Sequence, residues 1–226
     1  YPNVNWTYHN YRDCDLDNFV LVAEELANRG YYVIRMGAKV NKPFLSSNAK
    51  VVDYATNGMR TDFMDIYLGA TCKFTISNGS GWDGVPYIFR RPMVYINYVP
   101  PGNLPTFIEN RISIFRHLWS IKENRELTLR EIFDWDVGFI TRTEDYEANG
   151  IMLIENTPEE IYDVCIEMVE RLDGDWQFQK DDKKLQKRFW DIFPKDVNNA
   201  DGVPLHGEIS SNFGVNFLRN NPWWLQ

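Results

Sequence analysis

Cysteine, histidine and positive charge are scarce in this sequence, and each scarcity removes a class of function. Of its 226 residues three are cysteines (Cys14, Cys72 and Cys165) and three are histidines (His9, His117 and His206). The cysteines are odd in number and far apart, with no CxxC pair, which excludes zinc fingers and dithiol redox motifs. The histidines are dispersed and lack the spacing to a second histidine or a carboxylate that a metal site needs, so no metal is expected. Lys and Arg number 24 against 32 Asp and Glu, a net charge of −8. That balance argues against a nucleic-acid binder, which draws on clustered positive charge. No apolar run approaches the roughly 18–20 residues of a membrane span. The opening YPNVNWTYHNYRDCD has neither the basic nor the apolar region of a signal peptide. A reducing, cytoplasmic location is the expectation. The phosphate motifs GxGxxG and GxxxxGK[ST] are missing, as is the GxSxG nucleophile elbow.

Apolar material is ample: 44% of residues are hydrophobic and 15% aromatic, eight of them tryptophan. That suffices for one sizeable core. The periodicity predicts a helix over 16–29, with Asp15 as N-cap and Gly30 just past its end. A buried strand at 31–37, a short strand at 50–55 and a helix at 60–70 capped by Thr61 follow. Strands at 73–76 and 92–100 flank a glycine-bearing loop and a helix start at 81–91, which Pro86 limits. Segment 101–149 is less regular, with a helix at 128–134 and a polar loop at 142–150. The clearest unit is GIMLIENTPEEIYDVCIEMVERLDG (150–174): a strand at 151–154, then Thr157, Pro158 and Glu160 as a capping box opening a helix. Its apolar stripe runs Ile161, Val164, Cys165, Met168, Val169, Leu172. A charged amphipathic helix at 181–193 and a turn-rich tail whose FLRNNPWWL docks back complete the chain. Short strands alternating with amphipathic helices mean an α/β fold, a Rossmann-like, mainly parallel sheet with helices on both faces. The organisation expected is a Rossmann-like domain over 1–175 and a helical extension over 176–226 packed on it. The chain opens on a loop and helix where such a unit opens on a strand; either residues 4–8 (VNWTY) supply a poor strand or the natural protein continues upstream, and the second is the expectation.

Open parallel sheets bind ligands beyond the carboxyl ends of their strands. The loop Ser77-Asn78-Gly79-Ser80-Gly81 lies there, its glycines admitting a close backbone approach and the helix start offering unpaired N–H groups suited to phosphate. A structural strand-to-helix turn is the plainer reading of the same residues. Arg35, within the apolar VIRMG, is costly to bury alone. It either forks onto a diphosphate or pairs with Asp53 or Asp65. In HNYRDCD (9–15), Arg12 can meet a phosphate and Asp13 or Asp15 a ribose or acceptor hydroxyl; helix capping already accounts for Asp15. Glu155 and Asn156 end the strand 151–154 at the same sheet edge, where they contact a sugar or simply open the capped helix.

Several blocks together resemble a known family: HNYRDCDLDNFVLVAEELANRGYYVIRMG, VVDYA, DFMDIYLGATCKFTISNGSGWDGVPYIFRRPMVYINYVP, GIMLIENTPEEI and ISSNFGVNFLRNNPWWL. They look like bacterial glycosyltransferases of surface-polysaccharide loci, whose nucleotide-sugar half is similar to a GT-B fold. The likeness covers most of 9–100, then 150–170 and the tail. It implies a nucleotide-sugar donor, a glycan acceptor, no cofactor and no metal, and a partner domain upstream that this sequence lacks. It also implies donor phosphates against the loop 77–81 and Arg12 or Arg35, with Asp13 as the base toward the acceptor. Two other functions fit the architecture: a nucleotide-sugar epimerase, or a non-catalytic module binding nucleotide or carbohydrate.

Overall fold

The computed structural model describes residues 5, 7–198 and 201–226. Asp15 caps as expected, accepting the Asp17 N–H at 3.1 Å, but the first turn, Leu16–Phe19, is 3-10, and α1 (Val20–Asn28) follows it. The apolar runs after it yield only β1 (Val33–Ile34) and β2 (Val51–Val52), a two-stranded parallel sheet. Thr61 caps α2 (Asp62–Thr71) through the Met64 N–H at 3.1 Å. Next come β3 (Thr75–Ser77), a single 3-10 turn at Gly81–Asp83, α3 (Gly84–Ile88) and β4 (Met93–Tyr98).

The irregular middle holds what periodicity missed. β5 (Arg111–Phe115) is buried along its whole length, and β6 (His117–Ser120) and β7 (Arg125–Glu126) follow directly. The helix α4 (Leu129–Asp134) sits where expected, with a Thr128–Glu131 capping box. The expected polar loop at 142–150 instead contains a short helix, α5 (Thr143–Ala148). Then come β8 (Ile151–Ile154), α6 (Pro158–Asp173), α7 (Asp182–Ile192), β9 (Asn212–Phe213) and α8 (Val215–Asn220). The Thr157–Glu160 capping box opens α6, and Gly174, at φ +85°, closes it.

The larger sheet runs β3-β4-β5-β9, every pairing parallel. The chain is therefore a mixed α/β protein with a mainly parallel main sheet. Register places Val94 beside Ile112 and Ile114 two residues on, giving one aliphatic face. α6 lies against β4 and β5 there, and α1 packs on α6. The opposite face alternates in chemistry: Thr75, Ser77, Tyr95, Arg111 and Ser113 are buried beside Met93, Phe115 and Phe213. Phe189 of α7 stacks on Phe213 at 4.1 Å, and Trp224 joins the same aromatic cluster. The tail is thus not helical throughout, because residues 212–213 close the sheet.

One expectation is corrected. The strand 151–154 does not join the parallel sheet; β8 runs antiparallel to β6, which also pairs with β7. Its alternation explains the choice: Met152 and Ile154 are exposed, as suits a strand covered on one face, whereas parallel strands are buried on both.

Three elements of this smaller unit meet at His117. Its Nδ1 lies 2.7 Å from Glu126 of β7 and its Nε2 2.9 Å from Glu160 of α6. Burial works against the imidazolium, but the two carboxylates outweigh it and push the pKa up to about 10. A basic group whose pKa rises on folding contributes in full below its unfolded value and loses that contribution as pH climbs through the folded one. The difference in urea unfolding free energy between the native chain and His117→Gln should therefore shrink as pH rises from 6.5 to about 10. Parallel pH profiles for the two proteins would refute the clamp.

Candidate functional site

The carboxyl ends of β3, β4 and β5 converge with two other segments, 12–15 and 155–156. Asn97 and Asn156, both fully buried, exchange hydrogen bonds: each backbone N–H donates to the other's side-chain oxygen at 2.6 Å. Asn156 Nδ2 also donates to the Phe115 carbonyl at 2.8 Å. This knot ties the end of β4, where Asn97 stands at φ +51°, to the end of β5 and the β8–α6 corner.

The loop 77–81 is shaped from within. Ser77 and Ser80 donate their hydroxyls to Asp83 Oδ1 at 2.6 and 3.2 Å, and Ser77 Oγ accepts the Gly79 N–H at 3.1 Å. Gly79 adopts φ +90°, a conformation that an L side chain resists. Burial pushes the Asp83 carboxyl up, against the pull of the two hydroxyls. Among the described residues, the N–H groups of Ser80 and Gly81 have no protein acceptor, and a Cβ on Gly81 would meet open space. The expected helix start is one 3-10 turn before a five-residue helix, so it adds little dipole.

Most of the predicted residues do come together. Asn78 Nδ2 donates to the Arg12 carbonyl at 2.9 Å and approaches Cys14 Sγ at 3.3 Å, joining the two loops. Arg12 gives its Nε to Tyr11 at 3.0 Å, and no carboxylate among the described residues pairs with it. The Asp13 side chain is exposed. Glu155 is consumed structurally: both its oxygens accept the Asp15 N–H, at 3.0 and 2.9 Å, and Oε2 also accepts from Asn18. These bonds tie the end of β8 to the segment 15–18, a role distinct from both expectations, a sugar contact or the opening of α6. Burial, reinforced by Glu155, pushes the Cys14 thiol up to about 11, which favours its protonated form.

Arg35 lies apart from this cluster in its bonding. Its Nη1 pairs with Asp53 at 3.1 Å in the small sheet, while Asp65 pairs with Arg60. Burial alone would raise the Asp53 carboxyl; the Thr56 hydroxyl, the Phe44 N–H and Arg35 together hold it below its ordinary value.

Sequence reasoning missed Arg116. It stands between β5 and β6, almost wholly buried, donates to the Asp13 carbonyl and lies 3.6 Å from Glu155. Desolvation lowers its pKa, and Glu155 opposes the shift. Its signal was legible: an arginine interrupting the apolar run RISIFRHLW is the same anomaly that singled out Arg35. Arg111, 1% exposed, was missed too; it lies 4.2 Å over the Tyr95 ring and donates to the Pro105 carbonyl at 3.2 Å. Among the described residues no group of three or more His, Cys, Asp or Glu is arranged to hold a metal. The hollow beneath the last turn of α6 and the one beside Gly30 and Asp173 are not lined by residues 77–81.

No family model, curated protein or solved structure matches the chain. The site therefore has to be read on its own geometry.

Truncating Asn156 to alanine leaves the Asn97 N–H and the Phe115 carbonyl buried without partners. At about 1–3 kcal/mol for each stranded group, Asn156→Ala should cost about 2–6 kcal/mol in urea denaturation. A change within ~0.5 kcal/mol, as surface substitutions give, would show the knot to be idle.

Proposed function

We propose that this chain is the donor-binding half of a glycosyltransferase, moving a sugar from a nucleotide-sugar to a glycan acceptor in the cytoplasm. On this reading the parallel sheet is one Rossmann-like half of a GT-B arrangement, and a second domain supplies the facing wall. The observation that carries the proposal is the convergence at one sheet edge of an open glycine loop with Arg12, Asp13 and Arg116. It occurs at the carboxyl ends of parallel strands, where α/β sheets receive ligands.

The chemistry follows from charge. As the anomeric carbon–oxygen bond breaks, the leaving diphosphate gathers negative charge, and fixed donors aimed at it lower the barrier. The Ser80 and Gly81 amides and the Arg12 guanidinium are the donors free for that task. Arg116 is already committed to the Asp13 carbonyl, so its part is to hold the segment 12–15 in position beside the loop. Asp13, with an exposed carboxylate, takes the proton of the acceptor hydroxyl if the transfer inverts. Arg35, engaged by Asp53, is the weakest member of the predicted set. No helix among the described residues is long and apolar enough to cross a membrane.

Calorimetric titration with UDP, GDP, ADP and CMP tests the binding step. One nucleotide should bind, and Arg12→Ala and Gly81→Val should each weaken it roughly tenfold, or about 1.4 kcal/mol. The second substitution is a clean probe, because Gly81 has no positive φ and its missing side chain faces open space. Affinity unchanged in both variants discards the site. Donor hydrolysis with and without EDTA then separates turnover from mere binding and tests the expectation that no metal takes part.

A further inference from the structure

At the other, amino end of β5 and β9 a hollow of about 340 Å³ opens beneath the last turn of α6. Its size lies at the lower end of small-ligand pockets. Asn110, Arg171, Leu172, Trp176, Phe178 and Asn212 are among its walls. The chain builds it by reversing sharply at Gly174: the N–H groups of Asp175 and Trp176 both donate to the Glu170 carbonyl, at 2.8 and 3.1 Å. That turn sets the Trp176 and Phe178 rings nearly perpendicular, 85° apart with centres 6.3 Å away. The Arg171 guanidinium lies 5.1 Å from both ring centres.

The charge of Arg171 is already matched. Its Nε and Nη2 donate to Glu167 Oε1 at 2.9 and 2.7 Å, and the other oxygen of this buried carboxylate accepts the Val215 N–H at 2.8 Å. Arg111, which also lines the hollow, has no carboxylate partner among the described residues, but its guanidinium lies over the Tyr95 ring, on the sheet face away from α6. The other polar groups of the walls are neutral. The indole N–H of Trp176 is buried at the wall with no acceptor among the described residues, and the side-chain amides of Asn110 and Asn212 line the same hollow. Phe178 leaves half of its surface, 51%, to solvent.

We infer that this hollow is a subsite for an uncharged sugar unit. A pyranose offers an apolar C–H face, which packs on the free surface of Phe178. Its ring of hydroxyls donates and accepts at once, which matches one orphaned indole N–H and two amides. Because the hollow lies at the opposite end of the strands from loop 77–81, it holds a sugar away from any bond-breaking step. Within the proposed glycosyltransferase it would retain a length of glycan. The inference rests on residues that the donor site does not use, so either can fail alone.

Saturation-transfer NMR with glucose, galactose, mannose and N-acetylglucosamine tests it, with glucuronate and adenosine as contrasts. At least one neutral sugar should bind saturably, and glucuronate more weakly. Phe178→Ala should lower that affinity roughly tenfold or more. Trp176→Phe, which keeps a ring but removes the N–H, should lower it as well, with nucleotide binding unchanged in both. The inference is overturned if no neutral sugar saturates, if both variants bind sugar like the native chain, or if adenosine binds in place of the sugars.

Discussion

Two asparagines hold this molecule's architecture in register. Asn97 closes β4 and Asn156 precedes α6, 59 positions later, yet each satisfies the other's backbone N–H in a place without water. A buried N–H that lost its acceptor would cost about as much as a well-packed side chain contributes. The exchange therefore fixes where α6 begins relative to the sheet it covers. It also fixes the antiparallel unit, since β8 leads into Asn156 and His117 follows one residue after Arg116. Much of the candidate edge follows from this arrangement: Arg116 stands at the end of β5, Glu155 beside Asn156, and the segment 12–15 is bonded to both, while loop 77–81 is shaped by its own Ser77, Ser80 and Asp83.

How far the sequence disclosed this depends on whether the information was local. Caps were fully legible. Asp15, Thr61 and Thr157 each accept the N–H that their spacing promised, because a cap involves residues three positions apart or fewer. The α6 stripe was legible for the same reason. β5 was not, because Arg111 at its head reads as a surface residue. In the fold that guanidinium lies over Tyr95 and reaches the Pro105 carbonyl, partners that only the sheet brings near. β8 was seen but given the wrong neighbour, since an apolar quartet carries no label for parallel or antiparallel pairing. The site followed the same rule. Arg12, Asn78 and the glycines lie in contiguous loops that announce themselves. Arg116 and the Asn97–Asn156 exchange depend on meetings across long stretches of chain.

Charge is handled differently at the two ends of the strands. At the carboxyl edge Arg12 has no carboxylate partner among the described residues, and the Ser80 and Gly81 amides have no protein acceptor among them. At the amino edge Arg171 is neutralised by Glu167, and Arg219 by a paired contact with Asp182 at 2.7 and 2.5 Å. On the proposed reading, one edge would receive an anion and the other a neutral, hydroxylated surface. The acidic balance of the whole chain, −8, sharpens this contrast, because an anionic ligand has few competing cationic places to rest.

The position of β9 has a consequence for how the protein is made. β5 is the buried centre of the sheet, yet its second neighbour lies some hundred residues further along, at Asn212–Phe213. During translation β5 emerges from the ribosome with one flank unpaired and its aromatic face bare of Phe213 and Trp224. An open apolar strand edge is a template for joining other chains. The nascent polypeptide must pass through a long interval of vulnerability, which chaperones would be called on to shield.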